Sequence, residues 1–331
     1  MITFFSFIRK RGKKLLRYTV FSLAVFLIAS VGYSAYQFKQ MTRGWYAPLD
    51  TKPGVTVERP ASAVAPLELL AGTKPLKPFV LLVMGIDSRD GERARSDTMM
   101  LAAIHPEKQR VYLLSIPRDS YTELPGKGYD KLNHAMAYGG PKLVVQSLEK
   151  FLDVKIDRYV TIDFDGFRKV VDELGGVPIQ VKKRMKYTDP SDDTHIDLMP
   201  GLQTLNGDQA LDYARYRKND LGKEDSDYER IARQQEIVQA LAEKGTSAEA
   251  FAKAFTLMEI LGEHVKTDLT EKEIASLLLS YSDPTPNAIQ SDTLTGSDER
   301  IWHNGVLGWY HLVPKQERQR VKQAILSGLA P

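Results

Sequence analysis

The 331 residues include no cysteine. Disulfides, thiol nucleophiles and zinc–thiolate centres are therefore excluded. The six histidines show no HExxH or other metal-ligand spacing, and His134, within KLNHAMAYGG, reads as structural. No GxxxxGK[ST] or GxGxxG loop is present to cradle a nucleotide phosphate, and no GxSxG elbow presents a serine. A basic body is missing as well. The whole chain carries +3, but its first 17 residues hold six Lys and Arg and no acid, so the remainder is net −3. Such a body is not a nucleic-acid binder by composition. Hydrophobic residues at 43% and charged residues at 26% are ordinary for a globular protein, and the length allows a sizeable core.

One long apolar run stands out. Tyr18–Phe38, YTVFSLAVFLIASVGYSAYQF, carries no charge and is long enough for the roughly 20 helical residues that cross a bilayer core. The basic cluster before it predicts a cytoplasmic tail over 1–17, a single-pass anchor over 18–38 and an exported bulk on the cell-wall side of the membrane. The small residues of ASVGYSA keep a cleavable signal peptide as the alternative. Residues 39–78 hold Pro48, Pro53, Pro60, Pro66, Pro75 and Pro78 with little periodicity, and read as a juxtamembrane stalk.

Globular patterning covers 79–331. FVLLVMGID has the continuous apolar character of a buried strand. TMMLAAIHP and RVYLLSIPRD follow, joined through HPEKQR closely enough to run antiparallel. Helical patterns at Pro141–Leu152 and Phe164–Leu174 enclose the strand RYVTIDF, and GGVPIQVKKR reads as a further strand. Helices dominate from Asn206 to about Ser282, and the chain closes with an apolar stretch near Trp309 and an amphipathic helix from Lys315. The alternation predicts an α/β domain around one mixed β-sheet flanked by helices. Phe151, Phe164, Phe167 and Val170–Val171 are core by default, and would serve equally as the lining of a lipid pocket.

Asp87 directly after the first strand, Asp97 directly before the second and Arg118 after the third would gather at one end of a meander. That is the end where α/β sheets commonly bind ligands. The two carboxylates either share a hard divalent cation such as Mg²⁺ or act as turn and cap residues.

A second cluster lies in LDYARYRKNDLGKEDSDYERIARQQ, residues Leu211–Gln235. Asn206 suits the cap of the helix entering it. Arg215 and Arg217 splay about 200° apart if that helix continues, and point the same way if the chain is extended. Ser226 and Glu229 form a capping box that makes Asp227 the first residue of the next helix. On that helix Ile231, Val238, Leu241 and Ala242 make an inward stripe, and Asp227, Arg230 and Gln234 share its face. Arg233, Glu236 and Gln239 project to the opposite side and are expected in solvent. An inward Asp227–Arg230 pair is either a plain buried ion pair or part of a polar cleft, because unpaired burial is costly. Arginine forks suit phosphate oxygens. Arg118, Arg215, Arg217 and Arg230, with a carboxylate-held cation, match a pyrophosphate.

VMGIDSR, RSDTMML, SIPRDSY, KLNHAMAYGG, VDELGGVPI, LNGDQALDYARYR and DYERIARQQ occur in the order found in LytR–CpsA–Psr proteins. The chain resembles that family from about Phe79 to Lys244, about half its length. The resemblance implies a three-layer α-β-α catalytic domain on a membrane anchor. It also implies a phosphotransferase that moves an anionic glycopolymer, such as wall teichoic acid, from a polyprenyl-pyrophosphate carrier to a peptidoglycan sugar hydroxyl. Matched by motif, Asp87 and Asp97 would bind Mg²⁺, while Arg118, Arg215, Arg217 and Arg230 would hold pyrophosphate oxygens with Gln234 assisting. Lys131 falls in a family motif and joins the pyrophosphate-binding set. Asp227 would orient an arginine or accept the acceptor proton. The implied partners are the lipid-linked polymer, peptidoglycan and membrane lipid, with no nucleic acid. A polyprenyl-pyrophosphate phosphohydrolase and a non-catalytic tethered regulator or scaffold are the rival readings.

Overall fold

Strand β1 (Phe79–Asp87) is apolar almost throughout because both of its faces are covered. Val80, Leu82 and Met84 enter one core, whereas Phe79, Leu81 and Val83 enter a second on the other side of the sheet. β2 (Arg95–His105) runs antiparallel to β1, and β3 (Arg110–Ser115) antiparallel to β2. Their residues divide between the same two cores. The computed structural model describes residues 44–49, 76–87, 95–190, 194–222, 224–245, 247, 249–250, 253–281, 288–303 and 305–330. The Tyr18–Phe38 run lies outside them, and no helix among the described residues is long and apolar enough to cross a membrane.

A small hairpin of β4 (Tyr121–Leu124) and β5 (Gly128–Lys131) follows and leads into α1 (His134–Leu152). This helix breaks at Gly139 and Gly140, where Gly140 takes φ +63°, a conformation open to glycine. Helical turns resume with Pro141, which suits a first-turn position because its missing N–H is not needed there. β6 (Arg158–Asp163) then pairs parallel with β1 and is followed at once by α2 (Phe164–Glu173).

The next segment is a run of short antiparallel pairs. β7 (Val177–Val181) pairs with β10 (Gly201–Leu205), and β8 (Met185–Asp189) with β9 (Thr194–Leu198). α3 (Gly207–Arg215) and α4 (Asp227–Gly245) pack with them around a separate apolar cluster that includes Val177, Leu205, Tyr213 and Ile237. α5 (Ala254–His264), β11 (Val265–Thr267), α6 (Glu271–Ser280) and β12 (Ile289–Thr293) come next. The chain closes with the hairpin of β13 (Ser297–His303) and β14 (Val306–Leu312), then α7 (Lys315–Leu329).

The central sheet has the order β11-β6-β1-β2-β3-β12, with β6 and β12 joining in parallel and β11 antiparallel. α1 and α7 cover one face, while α4 and α6 supply apolar residues to the other. The expected mixed sheet flanked by helices is what forms. Gly44–Leu49, inside the stretch expected as stalk, lies against this body. Tyr46 bridges to Thr267, the Ala47 N–H donates to the Thr267 carbonyl (2.8 Å), and Trp45 is buried.

Candidate active site

The C-terminal ends of β1, β3 and β6 and the start of β2 share one edge of the sheet. Asp87 is the last residue of β1, opposite Arg95. Asp97 does not precede β2, as its position in the sequence suggested. Gly85 pairs with Thr98 and Ile86 with Ser96, so Asp97 is the extra residue of a β-bulge within the strand. Bulges re-aim a side chain at strand ends, and here the Asp97 carboxylate accepts a 2.6 Å hydrogen bond from Nη1 of Arg118.

Arg118 occupies a turn fixed from both sides. The Ser120 backbone N–H and hydroxyl both donate to the Pro117 carbonyl, and the Asn133 N–H donates to the Arg118 carbonyl. Asp119, the next residue, accepts from Nζ of Lys131 at 2.8 Å. Burial works against the Arg118 charge, yet Asp97, Asp119 and Asp227 outweigh it and raise its pKa above the ordinary value. Burial likewise works against the Asp119 carboxylate, but Lys131, Arg118 and Arg230 hold its pKa below the usual range. Asp119 was not anticipated as a site residue. Its only sequence signal was adjacency to Arg118.

The second wall comes from the start of α4. Ser226 and Glu229 form the expected capping box, and Asp227 begins the helix. Nη2 of Arg230 lies 2.6 Å from Oδ1 of Asp227. The contact is an ion pair by distance but is poorly directed, and Oδ1 gains no hydrogen bond from it. Arg230 is buried, and burial lowers its pKa; Asp227 opposes that shift, while Arg118 and Arg217 add to it by repulsion. Nε of both Arg118 and Arg230 is buried with no hydrogen-bond acceptor among the described residues. Buried guanidinium donors in that condition are costly unless something else accepts from them.

α3 ends at Arg215, and Tyr216 continues in extended conformation (φ −52°, ψ 127°). The two arginines flanking Tyr216 then diverge in role. Arg217 lines a cavity shared with Asp119 and Asp227, whereas the Arg215 guanidinium lies 5.1 Å from the Phe164 ring centroid, at the mouth of β6. Gln234 donates to the Ala214 carbonyl (3.4 Å), which ties α4 to α3.

Arg233 corrects the sequence reading. It is not solvated but only 6% exposed. Its guanidinium donates to the Tyr213 and Tyr216 carbonyls and to Asp225 (2.8 Å). Asp225 is itself buried, is also held by Lys183, and its N–H donates to the Arg217 carbonyl. Carbonyls at a helix C-terminus lack partners within the helix, and Arg233 supplies donors to them. Glu236 and Gln239 also find partners, in the Tyr213 hydroxyl and Ser291. Gln239 is nevertheless exposed, as expected, and Glu236 is half-buried, so it is at Arg233 that the α3 layer covers this side of α4. The Arg233–Asp225 pair closes the α3–α4 loop and so sets Arg217 beside Arg230.

The cavity at this junction has a volume of about 300 Å³, the lower end of the small-ligand range. Arg217, Asp119 and Asp227 line it together with Trp309, Tyr310 and His311 of β14. Across this contact network and the cavity lining, Arg118, Lys131, Arg217 and Arg230 face Asp97, Asp119, Asp227 and Asp298, so the charges of the arginines, lysine and carboxylates balance. Asp87 at the adjoining strand end adds a further negative charge. A dianion docking here is therefore better balanced when a divalent cation accompanies it. No group of three or more potential metal ligands forms among the described residues, so a cation at Asp87 and Asp97 would complete its shell with water and substrate oxygens. That is the usual arrangement for Mg²⁺ bound beside phosphates.

A sequence model of the LytR_cpsA_psr family matches residues 51–326. The polyisoprenyl-teichoic acid–peptidoglycan teichoic acid transferase TagU of Oceanobacillus iheyensis is 36% identical over 255 residues, covering 74% of each chain. Among solved structures, TagV of B. subtilis aligns with a TM-score of 0.65 at 33% identity, covering 77% of this chain and 99% of that one. The family protein YwtF (TagT), solved with bound octaprenyl pyrophosphate lipid, aligns with a TM-score of 0.57 at 29% identity, covering 76% and 90%.

Proposed function

The chain belongs to the LytR_cpsA_psr family, and on that premise we propose that it transfers an anionic glycopolymer such as teichoic acid from a polyprenyl-pyrophosphate carrier to a peptidoglycan sugar hydroxyl. The observation that carries the proposal is the group of guanidiniums of Arg118, Arg217 and Arg230. They repel one another around Arg230, and two retain buried Nε donors without acceptors. Pyrophosphate oxygens supply those acceptors, and a relative of this fold binds octaprenyl pyrophosphate.

Arg118 and Arg230 donate to the pyrophosphate, and Arg217 and Lys131 add positive charge at the cavity edge. Asp97 aims Arg118, and Asp227 holds Arg230, so we assign Asp227 a positioning role. Arg215 and Gln234 support the wall from α3 and α4. The acceptor hydroxyl attacks the polymer-side phosphorus, its proton passes to a cavity carboxylate, and polyprenyl phosphate leaves. Donors already in place around the phosphoryl oxygens stabilise charge that develops during transfer. Asp87 and Asp97 would hold Mg²⁺, which when bound supplies Lewis-acid neutralisation of phosphate charge. The expected 18–38 anchor would keep the domain at the outer face of the membrane, beside a lipid-borne donor.

The test is Arg118→Ala in the full-length protein, assayed with a defined lipid-linked polymer and peptidoglycan. Removing one preorganised donor is expected to slow transfer roughly 100-fold or more, with thermal unfolding close to wild type. Transfer at the wild-type rate would refute the assignment. Free polymer phosphate as the sole product would make the protein a phosphohydrolase.

A further inference from the structure

The β13–β14 hairpin carries two of the most exposed large apolar side chains in the described structure, Trp302 at 71% and Trp309 at 59% exposure. They share a face. Trp309 pairs with Arg300 across the ladder, and Trp302 lies two residues further along the same strand as Arg300. Diagonal neighbours of this kind stand about 7–8 Å apart. The Arg300 guanidinium caps the Trp309 ring at 5.7 Å. The opposite face is not available, because Tyr310 packs edge-on against Tyr121 (5.1 Å) and His303 against both rings.

Towards its base, the Trp face runs on into the cavity through the Asp298–His311 pair. His311 Nδ1 lies 2.8 Å from the Asp298 carboxylate, and both residues line the cavity beside Trp309. The hairpin is also fixed to the reacting end of the site, since the His311 N–H donates to the carbonyl of Asp119 (2.9 Å), the neighbour of Arg118. An exposed indole ladder is thus joined rigidly to a carboxylate-lined cavity next to the phosphate-facing arginines.

We propose that this hairpin face is the binding surface for the acceptor glycan strand: Trp302 and Trp309 stack the apolar C–H faces of successive sugar rings and deliver a hydroxyl into the cavity. This rests on the transferase reading. Saccharides suit the surface because they combine apolar ring faces with hydroxyls that donate to carboxylates such as Asp298 and Asp119. A membrane interface, where tryptophan is also at home, suits it less well. Burying the same face in lipid would strip water from the Asp298 and cavity carboxylates.

The test uses full-length protein in detergent, with soluble uncrosslinked peptidoglycan glycan strands as probe, titrated by calorimetry and indole fluorescence. Trp302→Ala and Trp309→Ala are each expected to weaken strand binding about tenfold, and the double variant about 100-fold, with Trp309→Phe in between. Acceptor KM should rise in step, and in Trp302→Ala, whose side chain does not line the cavity, affinity for the lipid-linked donor should stay unchanged. Strand binding by the double variant equal to wild type would overturn the proposal, as would no binding by wild type. Loss of donor affinity alone, or loss of phosphatidylglycerol-vesicle binding without loss of strand binding, would overturn it too. Because strands are titrated without donor, a protein that binds them through the tryptophans but transfers nothing refutes the transferase reading and leaves the surface standing.

Discussion

Arg230 and Arg233 lie three residues apart on α4, are equally buried at 6% exposure, and should behave oppositely when replaced by methionine. Arg233 is fully engaged inside the protein, with Asp225 and the carbonyls of Tyr213 and Tyr216. Its removal leaves a buried carboxylate with Lys183 as its remaining cation partner and strips donors from the end of α3. Breaking a buried pair costs about 3–5 kcal/mol, which lowers the melting temperature by roughly 10 °C for a domain of this size. Among the described residues Arg230 has one ion pair, the poorly directed contact with Asp227, and feels attraction from Asp97 against repulsion from Arg118 and Arg217. Its removal relieves that repulsion but leaves Asp227 without its partner; because the Asp227 side chain keeps some contact with solvent, the loss of stability is expected to be well below that of Arg233→Met. Anion binding should respond the other way. Losing charge-assisted bonds worth roughly 1.5–3 kcal/mol each predicts at least a tenfold weaker affinity for inorganic pyrophosphate in Arg230→Met. In Arg233→Met, measured below its melting point, affinity should change little. Thermal unfolding and calorimetric titration of both variants decide the matter. Equal destabilisation by the two, or wild-type pyrophosphate affinity in Arg230→Met, would show that Arg230 is scaffold.

Two further perturbations test neighbouring parts of the molecule. Asp97→Asn should weaken the apparent affinity for activating Mg²⁺ about tenfold in the transfer assay, seen as a higher half-saturating concentration. An unchanged Mg²⁺ response would remove Asp97 from the metal set. Burial raises the Asp212 pKa to about 6, with Asp208 adding to the shift against Arg215. A carboxyl whose folded pKa exceeds its unfolded value of about 3.9 disfavours folding increasingly as pH rises between the two. Asp212→Asn should therefore stabilise the protein at pH 8, by up to about 3 kcal/mol, and have little effect at pH 4. Equal melting shifts at both values would contradict that account.

The sheet was legible because its strands are buried on both faces. FVLLVMGID, TMMLAAIHP and RVYLLSIPRD read as strands without any help from alternation, and the short connection between the last two gave their antiparallel pairing. The Ser226–Glu229 box was legible because capping is local chemistry, and it placed Asp227 and Arg230 correctly at the head of α4. What depended on tertiary neighbours was not legible. A helical projection sorts residues relative to one apolar stripe, and α4 has neighbours on more than one side, so Arg233 was assigned to a solvent that is not there. Asp97 looked like a pre-strand residue because a bulge leaves no mark in an apolar pattern. The sequence around Trp309 reads only as an apolar stretch, because exposure on one face of a two-stranded ribbon appears only when its register is known.

The mixed charge of Leu211–Gln235 therefore contains two different electrostatic solutions built from the same residue types. In one, Asp225, Lys183 and Arg233 complete one another, and the loop between α3 and α4 closes over them. In the other, Arg217 and Arg230 are brought together by that closure and left under-matched. The first arrangement supports the second, since the Asp225 N–H donates to the Arg217 carbonyl and the Arg233–Asp225 clamp fixes that end of the loop, alongside the bond from the Asp220 N–H to the Lys186 carbonyl. It follows that weakening the clamp should loosen anion binding at temperatures where the fold still stands, through Arg217 and not through Arg118. A graded series at Lys183, which reaches Asp225 from the exposed side, can separate these effects. Lys183→Ala should reduce pyrophosphate affinity modestly in a wild-type background and not at all in Arg217→Ala. Equal losses in both backgrounds would mean that the clamp does not act through Arg217.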